Sequence, residues 1–195
     1  MKTFVKNAVA GLGIAALFLL VSASSQAQVL AHSGDVAGYA GYLHVDSDLS
    51  LQSHNHAIYG ASGGYNVTPY ITVLGEYGLA PLYSESGYSI KTQIYGGGAR
   101  FNLTPGKKLV PYGVVTFGGD RITWSYSGSS ESYNGYYIGV GGGASYYVGK
   151  NWGVRPEFRY VRAEFGEYGT NETVNAIAVT GGAFYQWGGT GKKKK

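Results

Sequence analysis

The chain has 195 residues and a formal net charge of +4, but much of its positive charge lies at the two ends. Without Lys2, Lys6 and the lysines at 192–195, nine Lys and Arg face eleven Asp and Glu, so no basic surface for nucleic acid is expected. The chain has no cysteine, which excludes disulfides and thiolate metal sites. Charged residues make up only 13%, while Gly numbers 33 and Tyr 19. An ordinary soluble domain is about 25% charged, so this composition suits a surface that faces something other than water.

Residues 1–27 are predicted to be a secretory signal peptide. Lys2 and Lys6 precede an apolar run from Ala8 to Val21, and a small-x-small cleavage site ends at Ala27. The run is short for the alternative, an uncleaved membrane anchor. After Val21 no apolar run approaches the ~20 residues that a membrane helix needs. If the mature chain enters a membrane, strands must cross it.

Eight strand-like stretches follow, within a barrel domain expected at 28–187 and ahead of a Gly/Lys tail at 188–195. They are predicted at 35–45, 56–67, 70–80, 90–103, 109–120, 134–148, 152–164 and 174–187. Each reaches the ~9–11 residues needed to cross a bilayer at a tilt. The connections alternate between long (46–55, 81–89, 121–132, 165–173) and short (68–69, 104–108, 149–151). This alternation predicts an all-β fold, an eight-stranded antiparallel up-and-down transmembrane β-barrel with mobile loops at one rim.

Alternation within the strands predicts which face meets lipid. In residues 154–160 (VRPEFRY), charged side chains occupy one face and apolar side chains the other. Four other strands show the same contrast: one face is apolar and partly aromatic, and the other carries Gly, Ser, Thr and a few charged residues. A soluble lipocalin-like binder, the alternative, would point its apolar face inward and expose many Lys and Glu. The sparse charge instead favours an apolar face toward lipid and a narrow, charged lumen.

Five charged residues are predicted to form ion pairs in that lumen, because an unpaired charge there would be costly. They are Glu76, Arg100, Arg155, Glu157 and Arg159. Glycines such as Gly96, Gly98 and Gly139 would give these long side chains room in an eight-stranded interior. A structural plug is the favoured interpretation, and a narrow pathway for ions or small solutes is the alternative.

The predicted long loops carry aromatic residues among Ser and Gly, a composition suited to surface recognition. The candidates are Tyr83, Tyr88, Trp124, Tyr126 and Tyr168. The alternative is that these rings anchor the protein at the level of the lipid headgroups.

Two histidine features are candidates for chemical sites. His54 and His56 form an H-x-H pair beside Asp46 and Asp48, but a metal site also needs a rigid frame, so solvated loop histidines are the favoured interpretation. His44 lies on a predicted strand, yet no serine is fixed beside it by a motif. Neither a metal, a cofactor nor an enzymatic activity is therefore predicted.

The chain resembles the small eight-stranded outer-membrane β-barrels of bacteria, the outer-membrane protein A-like and opacity-type group. The most similar segments are 109–113 (LVPYG), 152–160 (WGVRPEFRY) and 183–187 (AFYQW). The resemblance implies a porin-like bacterial surface protein, inserted by the barrel-assembly machinery after signal-peptide cleavage. It implies four loops outside the cell, short periplasmic turns and contact with outer-membrane lipid and lipopolysaccharide. A monomer is expected, and a host or environmental ligand at the loops remains open.

Overall fold

The structure is a computed structural model that describes residues 29–46, 55–85, 87–167 and 170–189. It contains eight antiparallel strands, each paired with its neighbours in sequence, and β1 also pairs with β8 to close the barrel. The strands are β1 (Ser33–Asp46), β2 (Asn55–Asn66), β3 (Ile71–Glu85), β4 (Tyr88–Asn102), β5 (Leu109–Tyr126), β6 (Ser129–Tyr147), β7 (Trp152–Glu167) and β8 (Thr170–Gly188). The predicted fold class is confirmed. The predicted signal peptide and residues 190–195 of the tail lie outside the described residues.

Within the described residues, no helix is both long enough and apolar enough to cross a bilayer.

The barrel has two distinct rims. The upper rim carries the β1–β2, β3–β4, β5–β6 and β7–β8 connections, and the lower rim carries the other three connections and the start of β1. Three of the predicted long loops (81–89, 121–132, 165–173) are wrong, because the strands continue through them to the upper rim. The predicted loop at 46–55 falls mostly on residues 47–54, which are not described.

The β5–β6 hairpin shows why these segments are strands. Its cross-strand pairs continue as far as Tyr126 opposite Ser129, which leaves a two-residue turn. Ser127 and Gly128 have φ values of 46° and 93°, and a two-residue turn with both φ values positive matches the twist of the strands. The aromatic and β-branched side chains that precede the turn favour strands. The Ser and Gly residues that suggested a loop lie partly in this turn and partly within the paired ends of the two strands.

The outward face of the barrel is apolar and carries aromatic residues in two belts. Toward the upper rim, one belt of exposed side chains is Tyr42, Tyr59, Tyr77, Tyr95, Phe117, Tyr136 and Tyr160. Toward the lower rim, the second belt is Tyr65, Tyr70, Phe101, Trp152, Tyr185 and Trp187. Exposed aliphatic residues such as Val73, Val140 and Val179 lie between them. Two aromatic girdles flanking an apolar band are typical of a barrel whose outer surface meets a bilayer.

Glycines on the two faces of the wall have different surroundings. On the inner face, a Cβ added to Gly98 would lie 2.0 Å from the Val115 carbonyl oxygen and 2.8 Å from the Thr116 Cα. On the outer face, a Cβ added to Gly38 would have no heavy atom within 4 Å. The curvature of the wall crowds backbone atoms on its inner side, so the inner glycine is required by packing and the outer one is not.

We therefore expect Gly98→Ala to destabilise the folded barrel, by about 1–3 kcal/mol, because neighbouring backbone would have to move. Gly38→Ala is the matched control and should be neutral or slightly stabilising. The measurement is the urea unfolding midpoint of the protein refolded in lipid vesicles. Equal losses in the two variants would contradict this explanation of the inner glycines.

Candidate functional site: the charged lumen

The lower of two ionic groups in the lumen is centred on a single carboxylate. Asp35 on β1 pairs with Arg100 on β4 at 3.3 Å and with Arg155 on β7 at 3.2 Å. All three side chains are buried. Arg155 Nε also donates to Ser145 Oγ at 3.1 Å. Asp35 is not among the residues predicted from the sequence, so it adds a third acid to the expected set.

The second ionic group has one arginine and two carboxylates. Arg159 Nη1 contacts Glu76 Oε1 at 2.7 Å, and Arg159 Nη2 contacts Glu157 Oε1 at 2.5 Å. Each carboxylate also accepts a hydrogen bond from a tyrosine hydroxyl: Tyr137 donates to Glu76 at 2.8 Å, and Tyr112 donates to Glu157 at 2.9 Å. Three strands on one side of the barrel and β3 on the other are thereby linked across the lumen.

Together the two groups form an electrically balanced network, which we call the plug: Asp35, Glu76, Arg100, Arg155, Glu157 and Arg159. Its three carboxylates match its three guanidinium groups. Within it, the group around Asp35 has one excess positive charge and the group around Arg159 one excess negative charge.

Aromatic rings offset the excess positive charge. The guanidinium carbon of Arg155 lies 4.6 Å from the ring centroid of Phe184, and that of Arg100 lies 5.4 Å from the ring centroid of Tyr112. Both distances are within the ~6 Å range of a cation–π interaction. Because the Tyr112 hydroxyl also donates to Glu157, this residue joins the two ionic groups through its ring and its hydroxyl.

Inner glycines provide the volume that the plug occupies. A Cβ at Gly139 would lie 2.8 Å from Thr116 Oγ1 and 3.0 Å from Arg159 Cδ. A Cβ at Gly143 would lie 2.6 Å from the Tyr112 hydroxyl oxygen, and one at Gly96 would lie 2.8 Å from the Tyr137 hydroxyl oxygen. The glycine-rich segment of β6 thus faces arginine and tyrosine side chains. Because these glycines have no side chain, the large groups fit beside them.

Below the plug, a layer of uncharged polar side chains occupies the lower rim. Asn66 Nδ2 donates to Ser33 Oγ at 2.7 Å, and Thr72 Oγ1 donates to Asn66 Oδ1 at 2.5 Å. The Tyr147 hydroxyl donates to Gln186 Oε1 at 2.7 Å. All five side chains are buried, so the described lower lumen is filled with hydrogen-bonded protein groups.

Above the plug lies a mainly apolar layer, in which His56, Thr92 and Asp120 are buried polar exceptions. This corrects the expectation of a lumen lined by small and charged residues. The buried apolar members of this layer are Leu43, Val45, Ile58, Ala80, Ala176 and Ala178. Tyr39, Leu82, Ile94, Val161 and Val174 pack against them. Here both faces of the strands are apolar, so alternation could not reveal which residues point inward.

The aromatic recognition candidates form a cluster at the upper rim, on strands and not on loops. The ring centroid of Tyr88 lies 5.6 Å from that of Tyr83, 6.1 Å from that of Trp124 and 6.2 Å from that of Tyr126. We call these four residues the rim cluster. Tyr168 lies outside the described residues.

Of the two histidines expected in a solvated loop, His56 lies elsewhere. His56 is buried on β2, whereas His54 and Asp48 lie outside the described residues. His44 is exposed on β1, and its Nδ1 lies 2.8 Å from Asn55 Oδ1. Across the described ranges, no group of three His, Asp or Glu side chains could hold a metal ion.

Comparison with known families agrees with this geometry. Residues 13–186 match the family described as the outer membrane protein beta-barrel domain. The chain belongs to this family. The resemblance noted from the sequence is thereby confirmed, and the protein is assigned to the bacterial outer membrane. The soluble lipocalin-like alternative is excluded, since the apolar face points outward.

Solved outer-membrane barrels share the fold at low sequence identity. Neisserial surface protein A is 21% identical with a TM-score of 0.68, and the match covers 79% of this chain and 97% of that one. Ail, the attachment invasion locus protein of Yersinia pestis, is 18% identical with a TM-score of 0.57, covering 81% and 100%. The N-terminal barrel of Pseudomonas aeruginosa OprF is 17% identical with a TM-score of 0.57, covering 81% and 99%. No curated protein matches the sequence.

The plug predicts unequal effects of removing its acids. Asp35→Asn should lower the free energy of unfolding by about 3–5 kcal/mol, because two buried arginines lose their shared carboxylate. Glu157→Gln should cost about 1–3 kcal/mol, since Arg159 keeps Glu76. Urea unfolding of both variants in vesicles measures the difference. A loss from Glu157→Gln as large as that from Asp35→Asn would contradict the pairing described here.

Proposed function

We propose that the protein is a closed membrane anchor with a structural or surface-interaction role, which holds its upper rim in the environment outside the cell. The observation that carries this proposal is the filled lumen. Balanced ion pairs cross its middle, hydrogen-bonded polar groups fill its lower end and aliphatic side chains line its upper half. An eight-stranded barrel has an interior just wide enough for such side chains.

A narrow pore is the second candidate, and one cavity supports it. A space of about 50 Å³ lies against the plug and is lined in part by Glu76, Arg100 and Arg159. Ile58, Ile94 and Val161 line the same space, so a hydrated ion entering from above would have to cross an apolar layer. Desolvation of an ion there is costly, which favours the closed anchor.

The refolded protein in a planar bilayer is therefore expected to show no steady single-channel openings. Glu157→Leu tests whether the plug sets this behaviour, because it removes one carboxylate from the group around Arg159. Silence from folded protein supports the anchor. Steady wild-type openings whose conductance changes with Glu157→Leu would overturn it and make the lumen a pathway for ions.

The exposed surface near the upper rim supports contact with the outer leaflet and with partners beyond it. Lys91, Arg121 and Arg162 are exposed near the upper aromatic belt, where they suit anionic lipopolysaccharide headgroups. Beyond them stands the rim cluster, whose Tyr126 is 67% exposed. Aromatic side chains offer large contact areas at a low entropic cost. We propose this cluster as the contact surface for a host or environmental ligand.

Insertion by the barrel-assembly machinery is part of the same proposal. Trp187 lies near the lower end of β8 and is exposed on the outer face of the barrel. The family resemblance implies that the last strand ends on an aromatic residue read by the assembly machinery, and we propose that Trp187 is this residue.

The orientation can be tested cleanly because the chain has no cysteine. Ser130→Cys, exposed on β6 near the upper rim, should react with a membrane-impermeant maleimide in intact cells. Lys107→Cys, exposed in the lower β4–β5 connection, is the matched control and should react only after lysis. Labelling of Lys107→Cys alone in intact cells would reverse the orientation and refute the proposed contact surface.

A further inference from the structure

We propose that the upper lumen is a binding site for the end of an alkyl chain. Between the plug and the upper rim lies a cavity of about 60 Å³. Its walls include six aliphatic side chains from five strands: Leu43, Val45, Ile58, Ile94, Val161 and Val174. The site is distinct from the plug and from the rim cluster, and it goes beyond the anchor function proposed above.

The chemistry of the walls selects an apolar occupant. The two conspicuously polar side chains of the lining are Thr92 and Asp120. Thr92 Oγ1 donates to Asp120 Oδ1 at 2.5 Å, and the Asp120 carboxylate also accepts a hydrogen bond from the backbone of Arg121. A buried water typically needs two to four polar partners, and cavities lined by aliphatic groups stay dry and accept apolar molecules. The cavity therefore favours methylene and methyl groups over water.

The extent of the apolar lining indicates how a chain would enter. Leu82, Ile122 and Phe165 continue the cavity wall toward the upper rim. Ile122 lies two residues before Trp124, which belongs to the rim cluster, and Ile90 pairs directly with Trp124 across β4 and β5. An apolar surface thus runs from the rim cluster down to the cavity. At its lower end, Ile58, Ile94 and Val161 separate the cavity from the small space against the plug, which they also line.

The lower end of the cavity lies level with the boundary between acyl chains and headgroups outside the wall. Leu43 and Ile58 line the cavity, and their outward-facing neighbours in sequence, Tyr42 and Tyr59, belong to the upper aromatic belt. Such belts lie at the boundary between acyl chains and headgroups. Two sources of the alkyl chain are therefore at hand: a fatty acid arriving from the medium, and the tail of a lipid of the outer leaflet.

The test uses methyl-labelled protein in nanodiscs, with octanoate as the probe. In one arm the lipids are deuterated and octanoate is protonated; in the other the labels are exchanged. We expect intermolecular NOEs from an alkyl chain to the inward methyls of Leu43, Ile58 and Val161. The arm that shows them identifies the source. NOEs confined to the outward methyls of Ile177 and Val179, or none at all, would overturn the proposal.

Two cavity variants and one control make the result specific. Ala176→Phe, which places a ring in the cavity, should abolish the inward NOEs, and Ala163→Leu fills the same cavity with a smaller side chain in case the ring prevents folding. Ala57→Phe is the control, because Ala57 is exposed on the outer face opposite Tyr42. Heat-dependent gel migration shows that each variant is folded. Inward NOEs that persist in a folded cavity variant would contradict the assignment.

Discussion

Closure of the barrel is the constraint from which the rest of the structure follows. Lipid offers no partner to an unpaired backbone N–H or C=O group, so β1 must pair with β8 and leave no edge. Closing only eight strands fixes a narrow interior, and a large inward side chain then needs a small neighbour. Arg159 beside Gly139 and Tyr112 beside Gly143 are the consequence. The high glycine content is therefore partly a volume requirement of the closed sheet.

The plug shows how charges are tolerated in such an interior. A buried charge is stabilised only when opposite charges and hydrogen bonds compensate its desolvation. The group around Asp35 has an excess of positive charge, which the ring faces of Tyr112 and Phe184 offset. The group around Arg159 has an excess of negative charge, which the hydroxyls of Tyr112 and Tyr137 offset. Neutral aromatic residues thus complete the balance within each group, while overall neutrality comes from the equal numbers of acids and arginines.

Sequence periodicity reveals those parts of the fold where the two faces of a strand differ chemically. Arg155, Glu157 and Arg159 alternate with apolar residues, so their common face is predictable from the sequence alone. Ser33 and Asp35 also alternate with Gly34 and Val36, but this polar run ends after two residues, at Ala37. The partners of Asp35 come from distant strands. The apolar upper lumen escapes such a pattern because Tyr42 and Leu43 are both apolar although they face opposite sides. Which side chains pair across the lumen depends on how the sheet closes in three dimensions, and the residue pattern within one strand carries no information about that.

The apolar layer and the plug are also energetically linked. Ile58, Ile94 and Val161 line the same small cavity as Glu76 and Arg159, so aliphatic groups cover the upper side of this ion pair. Excluding water lowers the effective dielectric constant, which strengthens a satisfied pair and raises the cost of an unsatisfied one. Polar substitutions in the upper lumen would therefore weaken the ion pairs without touching them. The lumen is thus divided into an ionic middle, whose ion pairs join distant strands, and a mainly apolar upper half with a small cavity.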